Sequence, residues 1–261
     1  MPRRAIVLVV VCAVLALGAG RSWAEDVSSV TTLPIPTNAV GRFYLNGEML
    51  CTAWAAGSVM RTYPNNYHGP STNYETRIVT AGHCVRAGFH RDRPTFDWDQ
   101  PAQNVRYGDT TVRMPAIRVR ATLAAYSGPS YGGYDLAVLI VVSPWPVASL
   151  IPDFDYGLAV GEKLLVVGYG NGAFLPRVGT FEGREAKTDA LIVSGVTSPG
   201  TSGGPVLIPG TNRVVGIFVE TSISPEDTAR GPYWCVLVRC APQSPGFAAP
   251  ISGLQGMLRW P

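Results

Sequence analysis

Short β-branched segments separated by clusters of Gly, Pro, Asn or Ser restrict the fold of this chain more than any other feature of its sequence. The segments lie at residues 77–80, 111–125, 164–168, 190–194 and 213–221. Segments of this kind are typical of strands in an all-β barrel or sandwich. Leu136–Val142 is a continuous apolar run, which is typical of a strand buried on both faces. We predict one compact all-β unit with long loops at 62–76 and 222–248 and a short C-terminal helix over 251–258.

The composition excludes several other classes of protein. Hydrophobic residues make up 46% of the 261-residue chain and charged residues only 15%, whereas soluble proteins average about 25% charged residues. A disordered chain has the opposite balance, with few apolar residues and many charges. Glycine shows no three-residue period and no heptads are present, which excludes a collagen-like or coiled-coil chain. All-β domains reach about 200–250 residues, so a single domain fits this length.

The N-terminal segment has the features of a cleavable signal peptide. Two arginines precede an apolar run at residues 5–17, which is shorter than the ~20 residues that span a bilayer. Ser-Trp-Ala at residues 22–24 offers a cleavage site. We predict a signal peptide over 1–24, an N-terminal extension or short propeptide over 25–38, and a folded domain over 39–261 of a secreted or periplasmic protein. An uncleaved membrane anchor is the alternative.

The charge balance gives no support for a nucleic-acid or membrane partner. The chain has 21 Lys and Arg against 18 Asp and Glu, but three arginines belong to the leader, which leaves a formally neutral mature chain. No basic run interleaved with aromatic residues is present, as nucleic-acid binding would require. A polybasic patch for a membrane surface is also missing. Because the sequence shows no oligomer seam either, we predict a monomer.

Four cysteines remain once Cys12 is removed with the leader. An even number in an exported chain predicts two disulfides with three possible connectivities. Nearest-neighbour pairing gives Cys51–Cys84 and Cys235–Cys240, which the loop-closure model values at about 4 and about 2 kcal/mol. A zinc site is the competing explanation, but its usual paired Cys-x-x-Cys knuckles are missing. We therefore predict no metal.

The first of three motifs contains a histidine. Val-Thr-Ala-Gly-His-Cys at residues 79–84 directly follows a predicted strand. Of the three histidines, His68 and His90 are expected in surface loops. His83 differs because a disulfide from Cys84 would fix its backbone, and a general base needs a fixed position.

The second motif is Tyr-Asp-Leu-Ala-Val-Leu-Ile at residues 134–140. An acid at the start of an apolar run is costly to bury unless another group pairs with it. Asp135 either caps the strand in water or lies beside an imidazole. In the second case it would set the tautomer of His83 and stabilise the imidazolium formed in catalysis.

The third motif surrounds one serine with glycines, at residues 198–206. The glycines mark either a tight turn alone or a place where backbone N–H groups converge without side-chain obstruction. An oxyanion hole needs such convergence, and Gly200 and Ser202 would be its donors. Ser202 would be the nucleophile, activated by His83. The three motifs follow one another in the order His, Asp, Ser.

With these motifs the chain resembles the chymotrypsin-like (trypsin-fold) serine peptidases, whose TAGHC, DLAVL and GxSGGP blocks all occur here. The resemblance covers about residues 39–221. It implies two six-stranded antiparallel β-barrels with the active site in the cleft between them. It also implies that His83 is the general base, Asp135 its orienting acid and Ser202 the nucleophile. The Cys51–Cys84 pairing matches the family's disulfide beside the catalytic histidine.

The chain departs from the animal digestive members of this family. They carry an aspartate just before the nucleophile, which pairs with an N-terminus freed on activation. Thr201 occupies that position here, and no Ile-Val-Gly-Gly-like start follows a basic site. In this respect the chain is more similar to bacterial trypsin-like peptidases, including the glutamyl endopeptidase group. We expect the oxyanion hole to form without a new N-terminus.

The specificity pocket is inferred by alignment on Ser202. Its expected residues are Val196 and Thr197 at the base, with Val219, Glu220 and Thr221 along a wall. No acid lies at the base, which argues against a preference for Lys or Arg. The wall has no histidine of the kind typical of glutamyl endopeptidases. We expect an apolar or small side chain next to the scissile bond.

Together, these features predict a secreted serine endopeptidase that cleaves polypeptides through an acyl-enzyme intermediate and needs no cofactor. The alternative is a catalytically silent secreted binding module of the same fold. An α/β-hydrolase esterase is disfavoured because its motifs follow the order Ser, acid, His.

Overall fold

The computed structural model shows a chain built mainly of β-strands. It describes residues 37–63, 71–107, 109–127, 135–186, 189–195, 200–221 and 246–258. The predicted leader, the pocket residues Val196 and Thr197, and the predicted Cys235–Cys240 disulfide lie outside these residues. Within the described ranges, no helix is long and apolar enough to cross a membrane.

The first half of the described chain forms a closed barrel. Its elements are β1 (Val40–Leu45), β2 (Glu48–Tyr63), β3 (Ser71–Ala81), helix α1 (Gly82–Arg86), β4 (Phe96–Gln100), β5 (Gln103–Tyr107), β6 (Thr110–Met114), β7 (Ile117–Ser127) and β8 (Leu136–Ser143). The barrel closes in the order β1-β2-β3-β8-β7-β4, and β5 and β6 form a separate two-stranded sheet. Trp54, Trp98 and Phe43 are fully buried in the core of this barrel.

The second half forms another ring of strands. Its elements are β9 (Ile151–Pro152), β10 (Lys163–Val166), β11 (Tyr169–Gly170), β12 (Ala173–Phe174), β13 (Arg177–Arg184), β14 (Leu191–Ser194), β15 (Pro205–Leu207), β16 (Arg213–Thr221) and β17 (Gly246–Pro250). The ring runs β15-β10-β13-β14-β17-β16 and closes through the β15–β16 pairing. Strand β9 adds to β16 in parallel, while the pairs within the ring are antiparallel.

The two six-stranded antiparallel barrels expected from the family resemblance are therefore present. The predicted strand over 213–221 coincides with β16, and the apolar run Leu136–Val142 lies within β8. The predicted segment 111–125 is instead divided between β6 and β7. The division falls at Pro115, which has no N–H to donate to a strand ladder.

The predicted loop over 62–76 is wrong in the part that the structure describes. Strand β2 continues to Tyr63 and β3 begins at Ser71, and these two residues face each other in a long hairpin. The hairpin reads as a loop because Thr, Asn and Tyr occupy it in place of an alternating apolar pattern. Its pairing comes from the register with its neighbours and from an Arg61–Glu75 ion pair at 3.4 Å.

Two further expectations near the C-terminus need correction. The last three residues of the predicted 222–248 loop belong to β17, where Phe247 pairs with Ile192 and Glu220. The predicted helix over 251–258 is a 3₁₀-helix at Ile251–Leu254, followed by a turn. Gly253 and Gly256 lower helix propensity in this short segment.

We expect the buried and exposed faces of β8 to respond very differently to truncation. Leu139 is fully buried in the first barrel, whereas Val142 of the same strand has an exposed fraction of 46%. Leu139→Ala should lower the free energy of unfolding by about 2–5 kcal/mol because it leaves a cavity. Val142→Ala should change it by about 0.5 kcal/mol or less. Urea unfolding followed by tryptophan fluorescence measures both; equal losses would contradict this description of the barrel core.

Candidate active site

His83 is held at the junction between a strand and a short helix. Strand β3 ends at Ala81, and His83 is the second residue of α1. The next residue, Cys84, forms a disulfide with Cys51 of β2, with the two Cα atoms 6.3 Å apart. This confirms the predicted Cys51–Cys84 pairing. The disulfide fixes the backbone beside His83 to a neighbouring strand, as a general base requires.

The same disulfide removes the basis for a zinc site made of the four cysteines. The Cys51, His83 and Cys84 ligand atoms lie within 4.8 Å of one another. However, zinc binds cysteine as a thiolate, and both of these sulfurs are bonded to each other. Two of the four required thiolates are therefore unavailable.

Asp135 reaches His83 from the start of β8. Because β3 pairs with β8 through Ala81 and Leu136, the residues that flank this pair are neighbours. Gly82 N donates a hydrogen bond to the Asp135 carbonyl at 2.9 Å. The His83 Nδ1 and Asp135 Oδ2 atoms are 2.5 Å apart. The structure therefore brings together two side chains that the sequence predicts from separate motifs.

This contact determines how the imidazole is oriented. An ionised carboxylate can only accept hydrogen bonds, so His83 Nδ1 must carry the donated hydrogen. In the neutral ring, Nε2 is then left with the lone pair that can accept a proton. The exposed fractions of the His83 and Asp135 side chains are 32% and 18%. The site is thus open to a ligand on the histidine side and more enclosed on the aspartate side.

The other carboxylate oxygen of Asp135 is poorly supported. Oδ1 is buried and has no hydrogen-bond partner within the part of the chain that the structure describes. An unpaired buried acceptor costs free energy. The bond to His83 is therefore the main described interaction that stabilises the Asp135 charge.

Gly82 is required for this arrangement. A Cβ atom at this position would lie 2.7 Å from Asp135 Oδ1 and 2.9 Å from both Leu136 N and Ser127 O. Real Cβ atoms do not approach backbone atoms this closely. The glycine of the histidine motif therefore leaves the space that the aspartate needs.

The serine motif packs directly against the end of β3. Gly203, which follows Ser202, has a φ of +85°. A Cβ at Gly203 would lie 2.2 Å from both Thr52 O and Thr80 Oγ1, and 2.9 Å from Ala81 N. Ala81 is two residues before His83, so this contact places the serine turn beside the strand end that carries the histidine.

Backbone hydrogen bonds fix the serine turn on both sides. Thr52 N, in the first barrel, donates to Ser202 O at 2.8 Å. In the second barrel, Gly203 N donates to Phe218 O at 2.6 Å, and Phe218 N donates to Gly204 O at 2.8 Å. Ser202 therefore lies where the two barrels meet. Its hydroxyl donates to the Val219 carbonyl at 3.1 Å.

The expected pocket residues are described only in part. Val219 is a buried residue of β16, and its hydrogen bond to Ser202 places this part of the expected wall next to the serine. Glu220 and Thr221 are the last two residues of the same strand.

A tyrosine on the second barrel lies close to the serine motif. The Tyr169 carbonyl would be 2.6 Å from a Cβ at Gly200, a residue with a φ of +89°. Burial raises the pKa of the Tyr169 phenol, while the Arg42 guanidinium acts in the opposite direction. The phenol therefore stays neutral at physiological pH. It offers an uncharged polar group beside the site.

Sequence reasoning did not identify Thr52. This residue is fully buried in β2 and contacts the serine turn through its backbone N–H. The available signal was its position directly after Cys51, the cysteine predicted to reach the histidine motif. Its contact with Ser202 spans 150 positions of the chain, and no local pattern reports such a contact.

Together, the double barrel and this site define the chymotrypsin-like serine peptidase class. The family model described as "Trypsin-like peptidase domain" matches residues 69–217. This match covers more than half of the chain, and the chain therefore belongs to the trypsin-like peptidase family.

Two solved structures share the fold. The structure titled "Crystal structure of Deg5" has 14% sequence identity and a TM-score of 0.54, and the match covers 84% of this chain and 86% of that chain. A thermostable serine protease AL20 from an extremophilic microorganism also has 14% identity, with a TM-score of 0.56 and coverage of 85% and 96%. No curated protein matches the sequence. The expected likeness to the glutamyl endopeptidase group remains a prediction.

We expect Gly82→Ala to disturb the His83–Asp135 hydrogen bond because the new methyl group needs the space of the carboxylate. The downfield proton resonance of His83 Nδ1 should shift or broaden, and turnover should fall by about tenfold or more, since a misoriented triad base costs up to about 10⁴. Gly256→Ala is the matched control, because nothing lies within 4 Å of a Cβ there. An unchanged Nδ1 resonance in folded Gly82→Ala would contradict the assigned role of this glycine.

Proposed function

We propose that this chain is a secreted serine endopeptidase in which Ser202 is the nucleophile, His83 the general base and Asp135 the residue that orients the base. One observation carries the proposal: the 2.5 Å contact between His83 Nδ1 and Asp135 Oδ2 lies beside the serine turn. The packing of Gly203 against the end of β3 supports this arrangement. The family membership supports the same reaction class.

The reaction begins with a change of hydrogen-bond partner. In the structure, the Ser202 hydroxyl donates to the Val219 carbonyl. When a peptide binds, the hydroxyl turns to His83 Nε2, which takes its proton as Oγ attacks the carbonyl carbon. Asp135 stabilises the imidazolium that results. The tetrahedral intermediate collapses as His83 returns the proton to the leaving amine, and an acyl-enzyme remains.

Water completes the cycle. His83 Nε2 takes a proton from a water molecule, whose oxygen attacks the acyl carbon. The second intermediate collapses as the proton passes to Ser202 Oγ, which frees the carboxylic acid product. In both steps the oxyanion is stabilised by the N–H groups of Gly200 and Ser202. Every step uses groups of this chain and the substrate, with no metal or organic cofactor.

The substrate class follows from the expected pocket. Val219 presents an apolar wall next to the serine, and the sequence places Val196 and Thr197 at the base without an acid. Such a pocket favours an apolar or small side chain, because a buried charge without a partner is costly. Polypeptides with these residues before the scissile bond are the proposed substrates.

The proposed location is outside the cytoplasm. The Cys51–Cys84 disulfide supports an oxidising compartment, and the predicted signal peptide supports export. We propose a monomeric protein in the periplasm or the extracellular medium.

The hydrogen bond from Ser202 Oγ to the Val219 carbonyl also favours a second candidate function. If the hydroxyl keeps this partner when a peptide binds, Ser202 is not activated. The protein would then be a secreted binding module of the same fold.

Fluorophosphonate labelling separates the two functions. Labelling should occur at Ser202, located by peptide mass, and both Ser202→Ala and His83→Ala should reduce it and ester hydrolysis by about 10⁴-fold or more. His90→Ala is the matched control because His90 is exposed and lies outside the site. Labelling that persists in Ser202→Ala would refute the nucleophile. A folded, disulfide-intact protein that is never labelled would favour the binding module.

A peptide library tests the proposed specificity. Cleavage should follow small or apolar residues, at rates about tenfold or more above those after Lys, Arg or Glu, since one poorly matched side chain in a pocket costs about 10–200-fold. A preference for Lys or Arg would show that an acid outside the described residues enters the pocket. A preference for Glu would place the chain with the glutamyl endopeptidases.

A further inference from the structure

Every polar atom of Thr52 is used at the contact between the two barrels. Its side chain is fully buried. Its N–H donates to Ser202 O at 2.8 Å, and its carbonyl accepts from Thr80 Oγ1 at 2.7 Å. Its hydroxyl donates to Gly200 O at 2.8 Å and accepts from Tyr169 N at 2.8 Å. One residue of the first barrel thus contacts the serine turn at two points.

The direction of the Thr52 hydroxyl hydrogen is determined by its neighbours. A hydroxyl has one hydrogen to donate and two lone pairs to accept. The Tyr169 N–H is itself a donor, so it occupies a lone pair. The single hydrogen is therefore available for the Gly200 carbonyl.

Gly200 needs such an external constraint. It has a φ of +89°, and a glycine has no Cβ to restrict its rotation. Residues 200–206 contain no ionisable side chain, so no ion pair of their own holds the turn. Thr201, the next residue, is buried against Gly168 and carries no charge. Hydrogen bonds from outside the turn must therefore set its conformation.

We propose that the Thr52 hydroxyl is a positioning group that holds Gly200 in the conformation in which its N–H stabilises the oxyanion. This inference rests on the proposed function. By fixing the Gly200 carbonyl, Thr52 limits rotation of this residue and so determines where its N–H points. The oxyanion hole is thus preorganised from the first barrel, with no need for a new N-terminal amine.

Thr52→Val tests the proposal because it keeps the shape of the side chain and removes the hydroxyl. The rate of fluorophosphonate labelling and kcat for p-nitrophenyl acetate should both fall by about 10–100-fold, less than the 10²–10³ for losing an oxyanion donor outright. KM should change little, because the interaction lost acts in the transition state. Thr52→Ser keeps the hydroxyl and should restore most of the rate.

Two comparisons separate positioning from a general loss of structure. Thr76→Val is the matched control: Thr76 is also fully buried, and its hydroxyl contacts Ser58 in the first barrel at 2.6 Å, away from the serine turn. This variant should lose stability but label at the wild-type rate. The downfield His83 Nδ1 resonance should be unchanged in Thr52→Val, which would show that the His83–Asp135 bond is intact.

The possible results are distinct. A wild-type labelling rate in folded Thr52→Val overturns the inference and leaves the proposed function standing, as does an equal loss of rate in Thr76→Val. A wild-type protein that is never labelled overturns the proposed function itself. If Thr52→Val does not fold, Thr52→Ala replaces it, with space for water at the hydroxyl position. Thr52→Ala should then label more slowly than Thr52→Ser, and equal rates would overturn the inference.

Discussion

The close approach of the serine turn to the end of β3 is the constraint on which the rest of the site depends. The candidate nucleophile belongs to the second barrel and the candidate base to the first. They come together because Gly203 has no side chain and lies against Thr52 and Thr80. Any Cβ there would separate the two barrels at the point where the chemistry is proposed. The Thr52 N–H to Ser202 carbonyl hydrogen bond then sets the distance between them. Neither barrel contains the site alone.

The pairing of His83 with Asp135 follows the same physical principle within the first barrel. Gly82 removes the side chain that would occupy the space of the carboxylate, and the register of β3 against β8 brings the aspartate to that space. The disulfide from Cys84 then limits how far the α1 backbone can move. The glycines of both motifs are therefore explained by packing: each allows two polar groups from distant parts of the chain to approach within contact distance.

The sequence predicted the local chemistry well and the long-range contacts poorly. The His83 and Asp135 motifs, the Cys51–Cys84 disulfide and strand β16 were predictable because each has a short pattern of its own. The hairpin between Tyr63 and Ser71 was missed because its polar residues carry no apolar alternation and its pairing depends on register. Thr52 was missed for a related reason, since its four hydrogen bonds reach the serine turn, Tyr169 and Thr80, which only the assembled barrels bring together.

The central claim is that a serine held between the two barrels faces an oxyanion hole preorganised by the first barrel. A crystal structure of the protein with a phosphonate bound covalently to Ser202 Oγ tests it most directly. Our account predicts that a phosphonyl oxygen accepts hydrogen bonds from Gly200 N and Ser202 N, and that Thr52 Oγ1 still contacts the Gly200 carbonyl. His83 should remain bonded to Asp135 in the adduct. A phosphonyl oxygen turned toward solvent, with Gly200 rotated away from Thr52, would contradict it.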